Sequence, residues 1–545
     1  MRESCLALVC LLVSLNLFSQ EKKRDLGKLN GSLETSWGVY VDDPSLSTPL
    51  TQRYGTNTYV NLGYTFKGFR AGLQYDIYEP QMLGYESSLK GNGLKGFFAG
   101  WSDSKWDVTL GTFYEQFGSG LLFRAFEQRD MGINTSVLGG NVKWRPVSWL
   151  SAKVMAGLPR RYMEMFNPSV VYGADLEMSL LEPVFPETDA VLILGGSWLL
   201  RNDRTTGRPE EAPRNVNSFS GRLDFSKGCF SFGGEYVHKG RAYGIDPRLE
   251  TFSFVLPGQA LLLNMDVSLP AFSVTAVWRS IENMAFFQDD SHSPTLNLNY
   301  IPSLTRQHKY TLFQLYPHQV HDYGGETGGS IDISGNIPVG GNPRRPLRYS
   351  VNGSVFWDMD HDAGGYRFMG TGGGLLWAET YLELEKKWGP DWKTVLALGW
   401  QRKPEDSRFG LGRMLMNTVS TAADVLWQIS SRYSLRMELQ HAWSDFYDDQ
   451  GWVMGMLEFG IAPGFMLYVS DMCNYRTYAL TNTQYYEAGA SYAWKFLRAS
   501  VSYGRHRAGE TCSGGICRYV PEYTGMNVSL SIILLFLIIQ FKFRK

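Results

Sequence analysis

Residues 57–78, read in steps of two, carry two opposite chemistries. Val60, Leu62, Tyr64 and Phe66 form an apolar row, with Asn57, Tyr59, Asn61, Gly63 and Thr65 between them. After Lys67-Gly68 the pattern restarts. Phe69, Ala71, Leu73, Tyr75 and Ile77 become the apolar row, and Arg70, Gly72, Gln74, Asp76 and Tyr78 the polar one. A period of two places successive side chains on opposite faces of a strand. Two such runs about a Gly-containing turn predict a hairpin.

The motif recurs along most of the chain. Leu33, Thr35, Trp37 and Val39 alternate with Ser32, Glu34 and Ser36, and Phe219, Leu223 and Phe225 with Ser218, Ser220, Arg222 and Asp224. Ala378, Thr380, Leu382 and Leu384 oppose Glu379, Tyr381, Glu383 and Glu385, while Leu435, Met437 and Leu439 oppose Ser434, Arg436, Glu438 and Gln440. These segments predict roughly 20 to 24 strands of about 9–11 residues, the length of a tilted membrane strand. Tight turns alternate with longer connections such as 79–93, 201–215 and 404–413, so one rim should carry turns and the other surface loops. The expected fold is all-β: one large antiparallel transmembrane β-barrel over residues 20–545, apolar outside and polar in its lumen.

Composition agrees. A chain of 545 residues would usually divide into several soluble domains, and no composition break marks a boundary. Aromatic residues make up 14 %, and some gather at strand ends, as Tyr492 with Trp494 and Trp377 with Trp388. An interfacial girdle accounts for that placement, and so does plain β propensity. Mean hydropathy is −0.21, as a barrel gives when lumen residues offset lipid-facing ones. The net charge of −1 supplies no basic field for nucleic acid.

Arg2, the apolar run from Cys5 to Leu17 and the small Ser19 predict a secretory signal peptide over residues 1–19. The run is shorter than the about 20 residues a spanning helix needs. Export to a Gram-negative outer membrane follows, with outer-membrane lipid and the barrel-assembly machinery as the implied partners. Cys512 and Cys517 lie in Cys-Ser-Gly-Gly-Ile-Cys, a spacing that closes a small loop as a disulfide in an oxidising compartment. Metal binding is the competing reading, weakened because no His pair lies nearby. Cys229 and Cys473 are isolated and read as buried or lipid-facing.

Two stretches break the alternation. In 115–136, Gly118 and Gly120 permit unusual backbone, and Glu115, Arg124, Glu127 and Arg129 suit a charged constriction inside a lumen. A solvated surface loop is the alternative. The stretch 281–325 is long and Pro-containing, and reads as a loop folded into the lumen or a lid over its mouth. Glu379, Glu383, Arg436 and Glu438 on the strand rows are further lining candidates. His318 and His321 have HxxH spacing with His308 near, but no helical HExxH accompanies them. There is no P-loop, G-x-S-x-G or credible catalytic triad, so no catalytic residue, metal or cofactor is expected and the chain is not read as an enzyme.

Several segments are similar to a family. FYEQFGSGLLFRAFEQRDMGIN at 113–134, VYGADLE at 171–177, GEYVHKG at 234–240, RSIENMAF at 279–286, NYIPSLTRQHKYTL at 299–312 and CSGGICRYVPEYTG at 512–525 resemble Bacteroidota outer-membrane β-barrel proteins that carry only an uncharacterised-domain label. The resemblance implies an outer-membrane location and supplies no substrate. Members tend to end in an amphipathic strand with a terminal aromatic. Here Met526, Val528, Leu530 and Ile532 alternate with Asn527, Ser529 and Ser531, and then the run Ile533 to Ile539 loses the alternation. That run reads as an over-long last strand or as the product of a sequence shift. The leading expectation is a porin-like channel or transporter for an unidentified polar solute. The alternative is an accessory barrel that binds an envelope protein, for which the type IX secretion machinery of some Bacteroidota is the context the resemblance suggests. A TonB-dependent receptor is disfavoured, since alternation already starts by Leu29 where such receptors begin with a plug domain.

Overall fold

The computed structural model describes residues 27–536, apart from 47–48, 207–208, 246–252, 290–292, 341–343, 363–364, 407–412, 446–448, 478–483 and 514–515. The signal-peptide expectation at 1–19 lies outside the described residues. Twenty-four strands form one sheet in which each pairs antiparallel with the next. The first strand, Lys28–Val41, pairs on one side with Tyr54–Phe66 and on the other with Tyr523–Phe536, so the sheet closes on itself. Closure removes the free edges that an open sheet of this size would expose. With strands about 4.8 Å apart and tilted about 40°, a ring of this size is roughly 48 Å across between backbones. No helix among the described residues is long and apolar enough to cross a membrane.

The opening hairpin shows how residue type sets the faces. Leu62 pairs with Leu73, Val60 with Tyr75 and Phe66 with Phe69 on one side, while Asn61 pairs with Gln74 and Tyr59 with Asp76 on the other. Leu73 is 48 % exposed on the outside, and Asp76 is 1 % exposed within. The outer rows meet hydrocarbon and the inner rows keep their polar groups hydrogen-bonded. We predict that Leu73→Arg costs about 2–4 kcal/mol of folding stability in lipid vesicles, while Gln74→Arg costs under about 1 kcal/mol. Equal costs in urea titrations of the two variants would contradict this assignment of faces.

Stacked aromatic pairs sit beside the tight turns: Trp106 with Trp144 at 5.7 Å, Trp392 with Trp427 at 5.1 Å and Tyr433 with Phe459 at 5.8 Å. They form the girdle on that rim. Trp388 belongs to it at 66 % exposure, but Trp377, at 2 %, does not. Trp377 points inward and lies 5.6 Å from His318, because it is in phase with Glu379 and Tyr381 on the inner row of its strand. Several strands exceed the expected length, Phe230–Ile245 and Ser253–Ser268 reaching 16 residues each. The ladder also carries through Pro404, paired with Leu415, into the segment expected to be loop. The last strand runs to Phe536, so the apolar run continues the wall to at least that residue.

The wall is interrupted where the alternation stops. Strand Trp106–Phe113 is followed by an insertion at 114–136, and strand Phe272–Glu282 by one at 283–325. In the first, Phe117, Leu121, Leu122 and Phe123 pack on inward residues of six strands: Val171, Leu199, Val216, Val237, Ala260 and Ile281. In the second, Tyr310 and Phe313 pack on Tyr381, Ala397 and Ala422, and Leu312 and Leu315 on Ala442, Trp452 and Met472. The two insertions bond to each other as well. The Arg124 amide donates to the Leu298 carbonyl at 2.8 Å, and the Tyr300 amide to Gly120 at 2.9 Å.

Candidate functional site in the lumen

Backbone geometry seats the first insertion. Gly118 has a φ of 52°, and a Cβ there would lie 2.6 Å from Glu235 Oε1, so only glycine fits both the left-handed backbone and the close approach. The Ser119 amide then donates to Glu235 Oε2 at 2.9 Å. Asn299 of the second insertion donates to the Leu121 carbonyl at 2.8 Å and to Met284 at 2.9 Å, replacing strand ladder bonds inside the wall. Asp322 accepts from the Met284 and Ala285 amides at 2.6 and 2.8 Å. Burial pushes its carboxyl up from the usual carboxylate range, against the pull of nearby Lys239 and those amides.

The four charges expected to form one constriction are divided among separate partners. Glu115 is held by Lys143 at 2.8 Å and by the Asn141 amide at 2.8 Å, both on the wall. Arg124 makes no such pair among the described residues; its guanidinium lies 4.0 Å from the Tyr300 ring and 5.0 Å from the Phe126 ring. Glu127 and Arg129 do meet, at 3.1 Å, and Arg129 also reaches Glu34 at 2.8 Å. Each charge takes the nearest opposite charge or aromatic face that the wall or the other insertion offers, and so they do not form one ring.

Glu115 belongs to a longer chain of charge. Lys153 bridges it at 3.7 Å to Asp175 at 3.4 Å, and Arg222 joins Asp175 and Glu177, each at 2.7 Å. Strand pleating puts these residues on the inner face, where every charge has a partner. The opposite wall is less balanced. Arg436 serves Asp424 at 2.9 Å, Glu458 at 3.7 Å and Glu438, three carboxylates for one guanidinium. Glu383 takes Lys309 of the second insertion at 3.2 Å.

Histidines fasten the second insertion to that wall. His308 Nε2 lies 2.5 Å from Glu379 Oε1, which also accepts from Gln401 at 2.9 Å. His318 Nε2 lies 3.0 Å from Glu326, and its ring stacks on Phe356 at 4.8 Å. Glu326 in turn holds Arg279 at 3.0 Å, both side chains being 1 % exposed. Arg279, Glu326 and Gln401 were not singled out in the sequence; the available signal was two histidines within an apolar, non-alternating stretch.

A hairpin of Gly509–Ser513 and Ile516–Val520 lies over both insertions. Glu510 accepts from Gln319, and Arg518 donates to the Asp130 carbonyl at 3.1 Å. Cys512 and Cys517 are joined as a disulfide across it. The only described cluster with metal-ligand spacing is Glu510 with these two cysteines, whose sulfurs are already bonded. We predict that Cys512→Ser lowers the hairpin's local stability by about 2 kcal/mol. Limited proteolysis of 509–520 should then be faster than in the wild type, with the rest of the barrel equally resistant.

The model of the family of unknown function DUF6029 matches residues 1–534. The chain belongs to this family. A search of the curated proteins returns no match for this DUF6029 member. Among solved structures it is similar to the siderophore receptor PirA from Pseudomonas aeruginosa, at 10 % identity and a TM-score of 0.40, covering 94 % of this chain and 81 % of that one. The P pilus usher PapC translocation pore matches at 11 % identity and 0.43, covering 93 % and 99 %. Acinetobacter baumannii OccAB4 matches at 9 % identity and 0.34, covering 94 % and 98 %. Likeness at this level carries no argument about what the DUF6029 barrel does.

Proposed function

We propose that this protein is an outer-membrane channel or transporter for a polar solute, held closed by its two insertions. One observation carries the reading. The inner face of the wall, together with Glu115 of the first insertion, is charged: the Lys143–Glu115–Lys153–Asp175–Arg222 chain lies on one side and the acidic group around Arg436 on the other. A structural barrel has no need of so large a polar interior, whereas selective passage uses charges placed along a path. The insertions supply the gate, since Phe117 and its neighbours pack on one side of the inner wall and Tyr310 to Leu315 on the other. Planar-bilayer recording of the purified barrel tests this. Rare, brief openings are expected; a barrel that stays silent both intact and without its second insertion is not a channel.

A second reading, an accessory barrel that binds an envelope protein, draws on the connection 180–190 at the tight-turn rim. It exposes Val184 by 63 % and Phe185 by 60 %. A pull-down from solubilised outer membrane would return a stoichiometric partner under that reading, and lose it in Phe185→Ser.

A further inference from the structure

A cavity of about 190 Å³ lies between the second insertion, the wall and the disulfide hairpin. We infer that it binds a neutral polyhydroxylated solute, one sugar ring in size, an inference that rests on the transport reading and names its cargo class. Its volume holds roughly six waters, or a single hexose in their place. Glu379 and Gln401 on the wall and His308 on the insertion line it, with Glu510 of the hairpin beside it.

Charge decides against an ionic ligand. The ionisable groups of the insertion that line the cavity already have partners: His308 has Glu379, His318 has Glu326 at 3.0 Å, and Arg306 has Asp332 at 3.5 Å. Glu510 is bonded to Gln319. A bare anion or cation would therefore enter without a counter-charge of its own, at the cost of its hydration.

Hydrogen-bonding capacity is what remains open. Glu379 Oε2 and His308 Nδ1 are buried and have no partner among the described residues. Both are rigidly held, Glu379 through its other oxygen and His308 through its other nitrogen. Gln307 and Gln314 add amides at the exposed side. Carboxylate, amide and imidazole groups match adjacent hydroxyls, each of which is donor and acceptor at once. Phe313 and Trp377 complete the lining with aromatic surface for C–H groups. The mixture suits a sugar better than an amino acid or a phosphate, which need fixed opposite charges.

Trp377 provides the readout. Purified barrel in detergent is titrated with glucose, galactose, mannose and N-acetylglucosamine, following tryptophan fluorescence and heat, with inorganic phosphate and glutamate as charged controls. At least one neutral sugar should bind saturably with a Kd of roughly 1 mM, the range of small ligands. Glu379→Gln should weaken it about tenfold, the loss of one charge-assisted hydrogen bond, and Gln307→Ala several-fold. Gln307 is exposed, so its variant carries the test if Glu379→Gln does not reach the folded form on semi-native gels. No saturation with any of the four sugars, or tighter binding of phosphate or glutamate, overturns the inference. Binding in detergent needs no conduction: a barrel that binds sugar but passes no current keeps the site and loses the channel.

Discussion

Replacing residues 303–322 by a short Gly-Ser linker is expected to raise single-channel conductance at least about tenfold over the wild type, by exposing a hydrated path along the wall. The removed segment includes Tyr310, Leu312, Phe313 and Leu315, which cover six strands of the second half of the barrel. It leaves the first insertion seated on Val171 to Ile281. The opened path should also be cation-selective. It removes Lys309 from Glu383 and leaves Asp424, Glu438 and Glu458 facing Arg436 alone. Reversal potentials in a salt gradient read this directly. Anion preference, or conductance unchanged by the deletion, would refute the assigned role of the segment.

Arg279→Met is expected to destabilise the folded barrel by about 3–5 kcal/mol, because it leaves a buried carboxylate short of its partner. Arg279 holds Glu326 at 3.0 Å and donates to the Pro302 carbonyl, joining strand Phe272–Glu282, strand Glu326–Ile337 and the second insertion. His318 remains beside Glu326 and tempers the loss, but a guanidinium reaches two acceptors in fixed directions that one imidazole cannot replace. Arg279→Lys should therefore recover only part of the stability. Equilibrium unfolding in lipid vesicles checks both values, and bilayer recordings of Arg279→Met should show more frequent openings. A cost below about 1 kcal/mol would mean that the pair is solvated rather than buried.

The wall was legible in the sequence because its signal is local. Leu62 and Asn61 are neighbours whose opposite chemistries state which way each faces, without reference to any other part of the chain. The insertions were legible as the places where that signal stops. Their partners were not. Glu115 settles on Lys143 and Lys153, Arg124 on Tyr300, and His308 on Glu379, all choices made only after distant strands are brought around the ring. Trp377 was misplaced for a local reason: its position near a strand end suggested an interface, while its phase with Glu379 and Tyr381 puts it on the inner row, facing His318.

The pairing of Lys28–Val41 with Tyr523–Phe536 has a consequence for assembly. Leu29 meets Phe536 and Val41 meets Thr524, so the seam joins the earliest strand to the latest. Contacts so distant along the chain are slow to form, because a long loop must be ordered before they contribute. Until the seam zips, Lys28–Val41 and Tyr523–Phe536 both present unpaired backbone, a template for a strand of another protein or a second copy. The final fourteen-residue strand is therefore the kinetic bottleneck of the whole cylinder, and a competing β-strand supplied during synthesis would arrest it as an open sheet.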